Sequence, residues 1–297
     1  MATLGWRGDH PELGVRSSLE GLELNLPAPL GKRAAQALPL SVSTRVLSTS
    51  ASNPRDQLQI DIGQTASAIW VRDLSGPTPR AIRGNLAIGS RTGGASSMPE
   101  QGVAAVVRLD ELPLDAWEAV LPAATAGHAD DGDDDAWRSY LPNRLGLQAG
   151  TLTTGGRTLH DVVAGITREG STWRANIDAR ELSGHAQYVQ PGRQQAGRLF
   201  ARLARLNLPP SAVSEVESMM EAPPTSMPAL DIQIEDLVLR GKALGKVEIE
   251  ATNQDARAPR SGAREWQLQK FNVTVPEASL RASGRWAAPV DNRPRRT

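Results

Sequence analysis

In four stretches between Ala229 and Trp286 apolar side chains alternate with charged or amide ones, and this period of two constrains the fold more than any other feature of the chain. Leu230, Ile232 and Ile234 alternate with Asp231, Gln233 and Glu235, and Val247 and Ile249 alternate with Lys246, Glu248 and Glu250. Successive side chains of a strand point to opposite faces, so the apolar groups share one face and the charges the other. Strands are expected over 229–239, 244–251, 265–275 and 278–286, forming an antiparallel sheet greasy on one side only. The apolar parity slips at Asp236–Leu237 and at Lys270–Phe271, which predicts β-bulges that bend this sheet.

The same texture fills the first hundred residues. Leu22, Leu24 and Leu26 alternate before a Pro-Ala-Pro turn; Leu38, Leu40, Val42 and Val46, then Leu58, Ile60 and Ile62, then Ile82, Leu86 and Ile88, then Val103, Ala105, Val107 and Leu109 repeat the pattern. Short strands separated by Gly- and Pro-rich turns mark an all-β unit. The period then changes: Leu114, Trp117, Val120 and Leu121 fall on one helical face, with Asp115 in the first turn where the helix dipole favours an acid. A short helix is expected to begin near Pro113, followed by a solvated acidic loop through Asp135.

Strand periodicity resumes at Leu145 as a repeat. Leu145, Leu147, Leu152, Gly156, Leu159 and Val162 match Leu230, Ile232, Leu237, Gly241, Leu244 and Val247 at one constant interval. Two copies of a hairpin account for this, and recurring supersecondary units point to a sheet built by repetition. Between the copies, residues 197–206 read as a strand with arginines spaced by apolar residues, and residues 209–220 as a second short helix with Ser211 at its N-cap. The expected organisation is a first β segment over 1–109, a helix and acidic linker over 110–142, a second β segment over 143–206, a helical linker over 207–228 and a third β segment over 229–297.

Chemistry-bearing motifs are scarce. The 33 Lys and Arg balance 33 Asp and Glu, which leaves no basic footprint for nucleic acid. The absence of cysteine excludes disulfides and thiolate metal sites but fits either a reducing compartment or a periplasm. Asp130 to Asp135 lacks the spacing of a calcium loop, and Arg240 to Val247 lacks the second-glycine spacing and the hydroxyl of a phosphate loop. The four histidines lie in separate segments with no metal-ligand spacing. No catalytic constellation, cofactor or metal site is expected, and the chain reads as a non-enzyme.

What remains is the apolar face. About a dozen strands carry it, and two short helices cannot cover it, while soluble proteins seldom expose large apolar patches. The sheet either closes on itself as a sandwich or stays open as a trough filled by an apolar ligand. Inward positions are Leu, Ile, Val and Ala, with few of the aromatics that dominate thick cores, and this favours the trough. The expected fold is therefore mainly β, an extended, curved antiparallel sheet forming an open groove with two or so short helices. The lining expected is Ile232, Ile234, Val247, Ile249, Leu268 and Leu280, with Leu147, Val162, Ala164 and Ile177 in the upstream copy.

The run Leu230-Asp-Ile-x-Ile-x-Asp-Leu237, the Gly241-Lys-x-Leu-Gly245 turn, Trp266-x-Leu268 and Ala278-Ser-Leu-x-Ala-Ser-Gly-x-Trp286 resemble the YhdP-like members of the AsmA-like envelope proteins of Gram-negative bacteria. Leu26-Pro-Ala-Pro-Leu-Gly-Lys32, Leu114-Asp-Ala-Trp117 and the arginine-spaced run from Gly197 to Leu206 extend the likeness over nearly the whole chain. The resemblance implies a repeating β-groove in the periplasm, anchored to the inner membrane by a part outside this sequence, that carries phospholipid between inner and outer membranes. On that reading the chain is an internal fragment whose partner is a phospholipid or other acyl-chain ligand. The alternative is a closed β-sandwich acting as a structural or protein-interaction module of the envelope, with no lipid cargo.

Overall fold

The structure, a computed structural model, describes residues 1–7, 10–50, 53–89, 98–125, 134–192, 196–208, 227–255, 264–275 and 277–287. The chain divides into two compact units, Met1–Gly165 and Ile166–Thr297. Both are built almost wholly of strands, each hydrogen-bonded to its sequence neighbour inside its unit.

The first unit begins with β1 (Ala2–Arg7), β2 (His10–Ser17), β3 (Leu40–Ser48), β4 (Arg55–Ile62), β5 (Ala66–Asp73) and β6 (Arg80–Gly89). It continues with β7 (Gly102–Pro113), α1 (Leu114–Thr125), α2 (Asp134–Arg138), β8 (Arg144–Thr154) and most of β9 (Arg157–Glu169). Its apolar residues fall into register rows. Val15, Val42, Ile60, Ala68, Leu86, Ala105 and Leu145 are successive cross-strand partners from β2 to β8, and Leu40, Ile62, Ala66, Ile88, Val107 and Leu147 form the row beside them. Because register partners share a face, the alternation in the sequence becomes one continuous apolar surface.

The second unit contains β10 (Thr172–Asp178), β11 (Leu182–Val189), β12 (Arg198–Leu208), β13 (Ala229–Leu239), β14 (Lys242–Asp255), β15 (Arg264–Val275) and β16 (Ala278–Ala287). Register shifts lie between Ile234 and Leu237 and between Leu268 and Phe271, the two places where the parity slips. Others lie between Leu237 and Val238, between Glu250 and Ala251 and between Ser183 and Gly184. Each lets one strand gain residues on its partner and bends the sheet.

Several features depart from the sequence reading. Among the described residues three pairings are parallel rather than antiparallel, β6 with β7, β7 with β8 and β12 with β13. Parallel neighbours need a crossover rather than a hairpin, and α1 and α2 lie in the crossover from β7 to β8. Leu22 to Leu26 is not a strand; only Leu24 bridges Lys32, within a loop. Ala2–Arg7 and Ala66–Asp73 are strands that the periodicity did not reveal. Asp134 and Asp135, read as loop, open α2, while Asp130 to Asp133 lie outside the described residues. The second helix expected over 209–220 also lies outside them.

The repeat itself is visible to the residue. Strands β8 and β13 begin and end at equivalent positions, as β9 and β14 begin at equivalent positions. Both hairpins turn on two residues with positive φ, Gly155 (56°) and Gly156 (67°) in one and Arg240 (54°) and Gly241 (74°) in the other. That is the conformation of the two-residue turn whose twist matches paired strands. Ala149, Leu152 and Val162 are buried in the first copy, as Ile234, Leu237 and Val247 are in the second. Each copy is also preceded by a parallel strand, β7 or β12, so the repeated unit is larger than the hairpin.

Candidate functional site

The charged face of the second unit is an ordinary solvated surface. Lys270 Nζ lies 2.8 Å from Glu248 and 3.5 Å from Glu250, and Lys246 Nζ lies 3.5 Å from Glu235 and 3.8 Å from Glu248. Opposite charges thus alternate across β13, β14 and β15. The hydrogen bond from Lys270 holds the Glu248 carboxyl below its ordinary value, and the same bond raises the Lys270 ammonium above its own.

The other face is uniformly apolar. Ile177, Gly184, Leu203, Ile234, Val247, Val273 and Leu280 are successive partners from β10 to β16. Ala175, Ala186, Ala201, Ile232, Ile249, Phe271 and Ala282 form a parallel row, and Trp173, Tyr188, Leu199, Leu230, Ala251, Leu268 and Gly284 a third. Seven strands at ~4.8 Å spacing make each row roughly 29 Å long. The bends fold this surface into a groove of about 520 Å³ whose wall draws on β10 through β15. Its floor is the buried cluster of Ile234, Leu237 and Val247, against which Leu203, Leu206, Leu208, Leu244, Phe271 and Val273 pack.

Five of the residues expected from the sequence, Ile177, Ile232, Ile234, Val247 and Ile249, line this groove. Leu268 lies in the third row, outside the groove wall, and Leu280 sits 57% exposed on β16, beyond Val273 in its row. Leu147, Val162 and Ala164 belong to the first unit, where Val162 and Ala164 are buried. The structure adds Leu199, Leu203, Leu206 and Leu208 of β12, together with Leu237, Leu239, Leu244, Phe271 and Val273. The β12 leucines are the apolar residues spaced between arginines, so their signal was present in the sequence. Their membership of the groove depends on the parallel pairing of β12 with β13, which alternation does not encode.

One margin of the face is closed by main chain. Trp266 Nε1 donates to the Pro228 carbonyl at 2.9 Å, and Asn253 Nδ2 donates to that of Met227 at 2.9 Å, so the segment entering β13 is fastened there. The first unit has a counterpart. Trp70 Nε1 donates to the Tyr140 carbonyl at 3.2 Å just ahead of β8, the two rings meet edge to face at 5.8 Å, and Tyr140 Oη donates to the Pro79 carbonyl at 3.0 Å. Beside them Asp56 takes two hydrogen bonds from the Arg72 guanidinium.

Among the described residues, the only ionisable one lining the groove is His185, which is exposed and neighbours Phe200. Among the described residues no group of three His, Asp or Glu side chains could hold a metal ion, and no helix is long and apolar enough to cross a membrane. The site offers apolar contact and shelter from water.

Comparison with known proteins matches the chain to the family model described as YhdP protein, over residues 4–295. No curated protein and no solved structure matches the chain.

Proposed function

Because the chain belongs to the YhdP family of envelope proteins, we propose that its apolar groove shields the acyl chains of phospholipids passing between the inner and outer membranes. The observation that carries this reading is the apolar groove of the second unit, with no charged side chain on its floor. Each methylene removed from water contributes ~0.8 kcal/mol, so a single acyl chain is held well by a surface with no specific polar contact. Leu, Ile, Val and Ala recur along every row, so successive positions are near-equal in energy and a chain can slide among them. Head groups remain in water at the open side, and a periplasmic location follows from this reading.

The alternative, a closed sandwich without cargo, would fill the inward face with opposing side chains. In the second unit that face bounds open space instead. An envelope enzyme would need convergent polar groups there, and the lining is apolar apart from His185.

The test is native mass spectrometry with lipid extraction of the purified chain and of Ile249→Asp and Phe271→Asp variants. Both residues are half-buried groove lining rather than floor. The wild type is expected to carry acyl lipid and the folded variants to lose it. A folded wild type that stays lipid-free after incubation with phospholipid vesicles would overturn the proposal.

A further inference from the structure

The first unit carries a device that the repeat does not explain. Between β2 and β3 the chain makes a tongue from Ser18 to Leu38. Its two legs are joined by backbone hydrogen bonds from Leu38 to Ser18, from Gly21 to Ala34 and, in both directions, between Leu24 and Lys32. Lys32 is buried to 8% exposure, and its ammonium donates to the Leu22 and Arg33 carbonyls, which ties the legs from within. The tip is tight: a Cβ on Gly31 would lie 2.2 Å from the Leu26 carbonyl oxygen.

This tip meets α1. Trp117 Nε1 donates to the Ala28 carbonyl at 3.0 Å. Two residues earlier, the Asp115 carboxylate accepts the Gly155 and Gly156 amides at 2.6 and 3.0 Å, at the turn between β8 and β9. Asp115 and Trp117 are separated by ~3 Å along the helix axis, so one helical turn joins the tongue to that hairpin turn. In strand order β2 and β8 are six spacings apart, roughly 29 Å on a flat sheet. The leg from Leu19 to Ala28, ten residues at ~3.3 Å each, is long enough to cross that distance. Both contacts lie past the end of the apolar face where Leu40, Ile62 and Ile88 stand and where, on the longer β7 and β8, Leu112 pairs with Leu152.

We propose that the tongue and α1 form a latch across one rim of the first unit's apolar face, and that its release opens that face to an apolar ligand. Two contacts hold it, the indole to the tongue tip and the carboxylate to the hairpin turn. Both are made at the surface, where water can replace them at small cost, so the latch can open without disturbing the strands beneath. The identity of the ligand rests on the lipid-groove reading; the latch does not.

The chain has no cysteine, so single reporters are clean. Val107→Cys places a thiol on the half-buried apolar row, and Gln148→Cys places one on the exposed opposite face. Labelling of each by an uncharged maleimide is measured without lipid in the otherwise wild-type chain and in a background carrying Asp115→Ala and Trp117→Phe. The expected result is a roughly tenfold faster reaction at position 107 when both contacts are removed, with no change at 148. An unchanged rate at 107 would overturn the latch, as would an equal acceleration at both positions, which would report general loosening. Lipid uptake by the second unit is scored separately, so failure of the groove reading leaves this result interpretable.

Discussion

Ile234 and Val247 face each other across the β13–β14 ladder, 4% and 2% exposed, and together they form the floor of the second unit's groove. They lie in one row with Leu280, which is open to solvent on β16. Burial therefore falls from the middle of the row to its edge while the chemistry of the side chains stays the same.

That gradient separates stability from ligand contact. Ile234→Ala removes buried methylenes with neighbours on every side and is expected to cost about 2–5 kcal/mol. Leu280→Ala is expected to change stability by no more than about 0.5 kcal/mol. Urea denaturation of both variants measures the contrast, and equal costs would show that β16 is packed as tightly as the floor.

In the first unit the Asp56 and Arg72 side chains are 7% and 16% exposed. Asp56→Ala leaves the largely buried Arg72 guanidinium without its carboxylate partner, and a loss of about 3–5 kcal/mol is expected. Replacing both together, Asp56→Leu with Arg72→Met, is expected to recover most of that loss. A double-mutant cycle by denaturation reads the difference, and two additive losses would show that the charges do not act as a pair.

Gly84 sits under the Trp70 indole: a Cβ there would lie 2.4 Å from Trp70 Cδ1 and 2.9 Å from the Ile69 carbonyl oxygen. Gly84→Ala is expected to cost about 1–3 kcal/mol and to shift the fluorescence of Trp70 as its hydrogen bond to Tyr140 loosens. An alanine variant as stable as wild type, with unchanged emission, would show that the indole has room to move.

The Glu248–Lys270 pair gives a pH dependence of known sign. The folded-state Glu248 carboxyl is lowered by its bond from Lys270, so its contribution is complete above the unfolded carboxylate value of about 4.3 and is lost as pH falls through the lower folded value. Lys270 is raised, so its contribution is complete below the unfolded value of about 10.4 and is lost as pH rises through the higher folded value. Glu248→Gln is expected to flatten the acid limb of the stability curve. Thermal unfolding between pH 3 and 7 checks it, and an unaltered acid limb would mean that the bond is not made in solution.

Much of this architecture is legible in the sequence because alternation maps directly onto a sheet with one apolar face. Ile232, Ile234, Val247 and Ile249 were readable as groove residues, and the bends were readable from the parity slips at Leu237 and Phe271. Strand β5 was not, because Ala66, Ala68 and Trp70 face one way while Ile69 and Val71 face the other, leaving both faces partly apolar and no clean period. The leucines near residue 24 alternate but have no neighbour to pair with beyond Lys32, so pattern without a partner made a loop. Parallel pairing of β7 and β12 with the strands that follow is a long-range fact that no local period records. The contacts of Trp117 with Ala28 and of Asp115 with Gly155 join residues distant in sequence for the same reason.

The most direct measurement is photo-crosslinking from neighbouring positions on opposite faces of β14. A benzophenone side chain is placed at Ile249, which lines the groove, or at Glu248, which lies among the charges. After irradiation in the presence of phospholipid vesicles, adducts carrying acyl chains are expected from position 249 and not from 248. Equal yields at the two positions, or none from 249 in a folded protein, would contradict the account.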